Sequence, residues 1–120
     1  MDKDVVSCGK GWSKLYLPII HLVIAHDLVQ TTPDKKIGIE YIKNSYGSLD
    51  VKFINENNLT TTIINKTRNV QERSKHTCEI CGCEENIGIT GSSLQKQTCC
   101  GKCYKEVVRK ETPLVSWHKI

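Results

Sequence analysis

The stretch CEICGCEENIGITGSSLQKQTCCGKC, Cys78–Cys103, decides the fold, because it holds six of the seven cysteines of a 120-residue chain. Cys78-Glu-Ile-Cys81, then eighteen residues, then Cys100-Gly-Lys-Cys103 matches the spacing of a four-cysteine zinc site. Two cysteines three apart on a tight turn can bring both sulfurs to about 2.3 Å from one ion, and two such turns close a tetrahedron. Gly82 and Gly101 supply the backbone freedom that the turns need. Between them, NIGIT and SLQKQT read as two short strands around Gly91-Ser92-Ser93, which is the hairpin of a zinc ribbon. The expected ligands are Cys78, Cys81, Cys100 and Cys103, a set with the same spacing on both sides. Cys99 could stand in for Cys100, and Cys83 and His76 lie near enough to be alternative donors.

The surroundings of the cluster favour metal over disulfides. The opening MDKDVVSCGKGWSK is acidic where a secretory leader is basic, and no small-residue cleavage site follows an apolar core, so the protein is expected to stay in the cytosol. Thiols remain reduced there. The longest apolar run, LYLPIIHLVIA, is too short to span a bilayer and contains Pro18 and His21. Two matches to the glycosylation pattern, at Asn58 and Asn65, read as chance in an Asn/Thr-rich stretch. A redox reading of one C-x-x-C needs a βαβ setting that the pattern does not offer. A catalytic zinc needs an open coordination position. Glu79, Glu84 and Glu85 lie close, but four thiolates leave no corner for water, so the expected zinc is structural and the expected protein is not an enzyme. Cys8 stands apart in a segment read as loose.

Upstream, residues 1–76 read as a small α+β domain. Trp12, Leu15, Tyr16, Ile19, Ile20, Leu22, Val23, Ile24 and Leu28 cover well over half of a helical wheel, which predicts a mostly buried helix over 12–30 with Ser13 as N-cap and Pro18 bending it or delaying its start. TTPDKK is a turn. Ile37, Ile39 and Tyr41, then Leu49, Val51 and Phe53, alternate with polar or small residues and predict a β-hairpin with one apolar face, covered by the first helix. Leu59, Ile63, Thr67, Val70 and Ser74 are spaced for a second helix from about 57 to 76, with a strand over 59–64 as its competitor. Residues 77–112 form the ribbon and 113–120 an apolar tail in which Pro113 ends the preceding helix. That tail is expected to pack back, dock as an edge strand, or present Trp117 to a partner.

The formal charge of +4 lies wholly in residues 51–120, where eleven Lys/Arg face seven Asp/Glu. Lys96, Lys102, Lys105, Arg109 and Lys110 gather at the end of the ribbon, and Lys66, Arg68, Arg73 and Lys75 lie on the second helix. Such faces suit nucleic-acid phosphates. Only Tyr104 and Trp117 are near enough to stack on bases, which disfavours single strands.

Taken in order, GW before an apolar helix, a strand, the loop KNSYGSLDVKF, a helix ending in RSKHTCEICG, a glycine hairpin and a closing C-x-x-C resemble a group of small zinc-ribbon proteins carried by bacteriophages and prophages. The resemblance covers about residues 11–103. In that group the loop reads like K-x-K-F-G-G-L-R-F, whereas this chain has Tyr46-Gly47-Ser48 and places Asp50 where the group has Arg. The resemblance implies an accessory protein in the bacterial host cytoplasm that binds and modulates a host protein, including as an inhibitor of host defence. The alternative expectation is a nucleic-acid-binding regulator.

Overall fold

The computed structural model describes residues 5–91, 95–111 and 115–120. Ser92, Ser93, Pro113 and Leu114, with the turn and the helix stop assigned to them, lie outside the described residues. The protein is α+β, with a two-helix layer on a hairpin followed by a three-stranded ribbon.

Helix α1 (Ser13–Leu28) is entered through a 3-10 turn, Lys10–Trp12, so Ser13 is its first residue and Trp12 occupies the cap position without a side-chain cap bond. Pro18 sits inside the helix. At its far end Asp27 accepts hydrogen bonds from the N–H groups of Ile37 (2.8 Å) and Gly38 (3.0 Å), fastening the TTPDKK segment back onto the helix. Burial pushes the Asp27 carboxyl up, but those two bonds and His26 outweigh it and hold it below its ordinary value.

Strands β1 (Ile39–Ser45) and β2 (Ser48–Phe53) pair antiparallel through the two-residue turn Tyr46-Gly47, with φ of 54° and 90°. Positive φ at both positions is the type I′ turn that matches strand twist. A register shift between Ile39 and Tyr41 changes which residues face inward. The alternation of 37, 39 and 41 therefore breaks, and Ile42 rather than Tyr41 is fully buried. The segment before α1 is not loose: Val6 bridges Ile42 in parallel, and Cys8 packs on the core half-buried, its thiol pushed up to about 11 by burial and by Glu79.

Helix α2 (Thr61–Ser74) starts later than the spacing suggests, after a 3-10 turn at Glu56–Asn58. The Thr60 side chain accepts from Ile63 N–H, a cap that favours helix over the competing strand. Ile63, Thr67, Val70 and Ser74 form its buried face. Ser74 Oγ accepts from Leu49 N–H (2.8 Å) and pins α2 to β2. Trp12, Leu15, Ile19, Ile37, Ile42, Leu49 and Phe53 fill the core between these elements. The apolar wheel of α1 exceeds what this core covers, and Leu17, Ile24 and Leu28 remain 42%, 47% and 78% exposed.

In the ribbon, β3 (Ile87–Gly91) lies between β4 (Lys96–Cys100) and β5 (Trp117–Lys119), both antiparallel to it. The C-terminal tail is thus an edge strand. From β4 the chain enters α3 (Gly101–Cys103), a π-helical stretch (Tyr104–Val108) and α4 (Arg109–Glu111). Among the described residues no helix is long and apolar enough to cross a membrane.

Candidate metal centre

The first cysteine turn is aimed by the end of α2. Thr77 Oγ1 donates to the Arg73 carbonyl (2.8 Å), and the Thr77 carbonyl accepts from Trp12 Nε1 (2.8 Å), so Cys78 leaves a position fixed from both sides. Cys78 N–H then donates to Cys83 O (2.8 Å) and Gly82 N–H to Cys78 O (2.9 Å), closing the turn. The second turn forms where β4 becomes α3, with Gly101 N–H on the Asn86 carbonyl (3.0 Å). The two turns are matched: Cys81 N–H donates to Cys78 Sγ and Cys103 N–H to Cys100 Sγ, each at 3.4 Å.

The sulfurs of Cys78, Cys81, Cys100 and Cys103 all lie within 4.8 Å of one another. Four sulfurs at zinc–thiolate distance around one centre form a tetrahedron with edges of about 3.8 Å. The Cys81–Cys100 separation is 3.8 Å, so the donor set fits such an ion. Strand geometry separates the two adjacent candidates in β4. Successive side chains point to opposite faces, and Cys100 joins the cluster while Cys99 is fully buried outside it. His76 is exposed and also outside the set.

The electrostatics of the metal-free thiols are uneven. Burial pushes Cys78 and Cys103 up, and pushes Cys99 up to about 12, with neighbouring sulfurs adding to the effect. Burial also acts against Cys81, but hydrogen bonds from the N–H of Cys83 and from the surrounding thiols outweigh it and bring Cys81 down to about 6. A cation at the centre would be met by four thiolates whose mutual repulsion it relieves.

Glu79, between two of these cysteines, holds the two halves of the molecule together. Its carboxylate is buried and accepts from Gly9 N–H (2.7 Å), Asn44 Nδ2 (2.7 Å) and the Gln97 side chain. Its main chain donates to Thr98 O (2.9 Å) and accepts from Gly11 N–H (2.7 Å). Burial pushes the carboxyl up, against those three hydrogen bonds. A Cβ on Gly11 would stand 2.4 Å from the Cys78 carbonyl oxygen, so only glycine lets the N-terminal segment lie on the cysteine turn. Thr98 Oγ1 donates to the Gly47 carbonyl, bringing the hairpin turn onto β4. Sequence reasoning missed Gly9, Gly11, Asn44 and Thr98. The paired glycines of GKGW were the one local sign of a close backbone approach.

The basic residues expected to bind a partner divide. Lys102, Lys105 and Trp117 line one cleft of about 690 Å³ with Tyr104, whose ring stacks on Trp117 at 6.3 Å between centroids. Trp117 is also committed internally, its Nε1 donating to Cys99 O (3.0 Å). Lys96 opens on a different cleft, beside Asn44 and Glu79. Arg109 and Lys110 are exposed on α4. Arg73 on α2 and Lys75 at its C-cap are paired with Glu84 and Glu72.

Fold and site together define a small α+β protein with a ribbon whose four clustered cysteines could hold a metal ion. Comparison with protein-family models, with curated proteins and with solved structures finds no match to this chain.

Proposed function

We propose that the protein is a non-catalytic, zinc-stapled binding protein that acts by docking on another protein. The observation that carries this reading is the uncovered stripe of α1. Leu17, Ile24 and Leu28 are spaced seven and four apart, so they share one helix face. Ile54, 63% exposed, extends the stripe through its contact with Gly38, which lines the same cleft as Ile24 and Leu28. Exposed apolar side chains gathered on one face are a feature of protein interaction sites. In the setting that the resemblance to phage zinc-ribbon proteins implies, the partner is a host protein.

Zinc suits the centre because four thiolates select a soft or borderline ion in tetrahedral geometry, and a complete set leaves no position for substrate. When bound, it supplies a crosslink between the two cysteine turns. The ribbon's own buried cluster is small, being Cys78, Ile87, Cys99, Cys100 and Cys103, so the crosslink replaces a core. Elemental analysis should find one zinc per chain. Cys100→Ser should lose it and lower the melting temperature, whereas unchanged melting in a metal-free variant would remove the structural role.

The docking reading is tested by pull-down from bacterial lysate with nuclease, comparing the wild type with Ile24→Asp/Leu28→Asp. A stoichiometric protein captured by the first and lost by the second supports it. Capture by both, or self-association that accounts for the patch in light scattering, sinks it. A second reading, nucleic-acid binding, is favoured by the cleft that joins Lys102 and Lys105 to two stacked rings. Binding that weakens steeply with salt and is reduced by Lys102→Ala/Lys105→Ala would transfer the function to that face.

A further inference from the structure

A fifth thiol stands beside the four. Cys83 follows Cys81 across Gly82, whose φ of 86° turns the chain back on itself, and it is the one cysteine of this turn outside the four-sulfur set. Its thiol donates to the Glu85 carbonyl at 3.7 Å. Four sulfurs already complete the tetrahedral set, so Cys83 has no coordination role in it. Of the four, Cys81 alone is exposed, while Cys78, Cys100 and Cys103 are buried. A small polar oxidant arriving from solvent therefore meets the Cys81 sulfur first, and Cys83, two residues on, is the nearest thiol along the chain that the ion would leave free. Residues two apart have Cα atoms no more than about 7 Å apart, a range that includes the separations disulfides require.

We propose that Cys81 and Cys83 form an oxidative modification site for hydroperoxides, with Cys81 as the attacked sulfur and Cys83 as the resolving thiol. The Cys81 sulfur attacks one peroxide oxygen, the O–O bond breaks, and Cys81 becomes a sulfenic acid while the other oxygen leaves as water or an alcohol. The Cys83 sulfur then attacks the Cys81 sulfur. The S–S bond forms, the S–O bond breaks, and the departing hydroxide takes the Cys83 proton to leave as water. In sum, the two sulfurs lose two electrons and the peroxide gains them with two protons, one from the Cys83 thiol and the other from the Cys81 thiol or, where the ion holds Cys81 as a thiolate, from water. The centre is left with three of its four donors, and the first cysteine turn is closed on itself. This consequence for the metal rests on the zinc reading, whereas the disulfide chemistry does not.

The test uses the full-length, zinc-loaded protein and hydrogen peroxide. Zinc release is followed with a chromophoric chelator, and disulfides are mapped by digestion and mass spectrometry. A Cys81–Cys83 bond in the wild type, with release slowed at least about tenfold in Cys83→Ser because the sulfenic acid then lacks its partner, supports the proposal. Release at the wild-type rate in Cys83→Ser, or a wild-type disulfide joining any other pair, overturns it. If the purified chain holds no zinc, the metal reading fails separately, and mapping Cys81–Cys83 in the oxidised metal-free chain still decides the modification site. The wild-type map stands whether or not the variant folds.

Discussion

At the scale of single residues, two buried polar groups have opposite standing. Glu79 offers acceptors to Gly9, Asn44 and Gln97 at once, and truncation would leave those donors dry. Glu79→Ala should lower stability by about 2 kcal/mol, since an orphaned buried donor costs roughly 1–3 kcal/mol, partly offset by removal of a buried charge. Chemical denaturation reads this directly. Thr67 is the reverse case: its Oγ1 is buried without a hydrogen-bond partner among the described residues. Thr67→Val should raise stability by about 1 kcal/mol, because valine keeps the shape and removes the desolvation cost. A fall in melting temperature would show that the hydroxyl has a partner in solution. The four clustered cysteines were legible because their spacing is local and their chemistry specific. The choice of Cys100 over Cys99 was not, since it depends on which face of β4 looks toward Cys78. Glu79 was noticed only as a neighbour of the cysteines, because its partners are up to 70 positions away in the chain.

At the scale of elements, the hairpin, both helices and the ribbon strands follow from periodicity, but their edges and faces depend on devices that periodicity does not contain. The register shift after Ile39 turns Ile42 inward, a 3-10 turn leads into α1, and another precedes the late start of α2. The apolar wheel of α1 suggested more burial than one hairpin and one helix can provide. The tail's attachment as β5 depends on a single missing side chain. A Cβ on Gly88 would lie 2.3 Å from Trp117 Cε2. Gly88→Ala should therefore displace β5 while leaving β3 and β4 paired. The readouts are a red shift in the emission of Trp117 and faster proteolysis near residue 115, and an unchanged spectrum would show that the strand can shift to accept the methyl.

At the scale of the whole molecule, the 52 × 23 × 21 Å shape holds two separate buried clusters. The larger is built of aliphatic side chains with Trp12 and Phe53 and closed by α1, α2 and the hairpin, whereas the smaller is built mainly of the cysteines themselves. Removal of metal should therefore act on one and not the other. Chelation is expected to open the amides of 78–103 to hydrogen exchange while those of α1 and β2 stay protected, and loss of protection throughout would mean that the Glu79 contacts couple the clusters into one cooperative unit. This coupling had no local signature in the chain, because it is made where the N-terminal segment, the hairpin turn and β4 converge. The placement of the two indoles adds a further consequence. Trp12 is fully buried in the larger cluster, and Trp117 lies half-buried against the smaller. Each half thus carries its own chromophore, one expected to emit at shorter wavelength than the other, so the order in which the halves loosen can be followed optically without attaching any label.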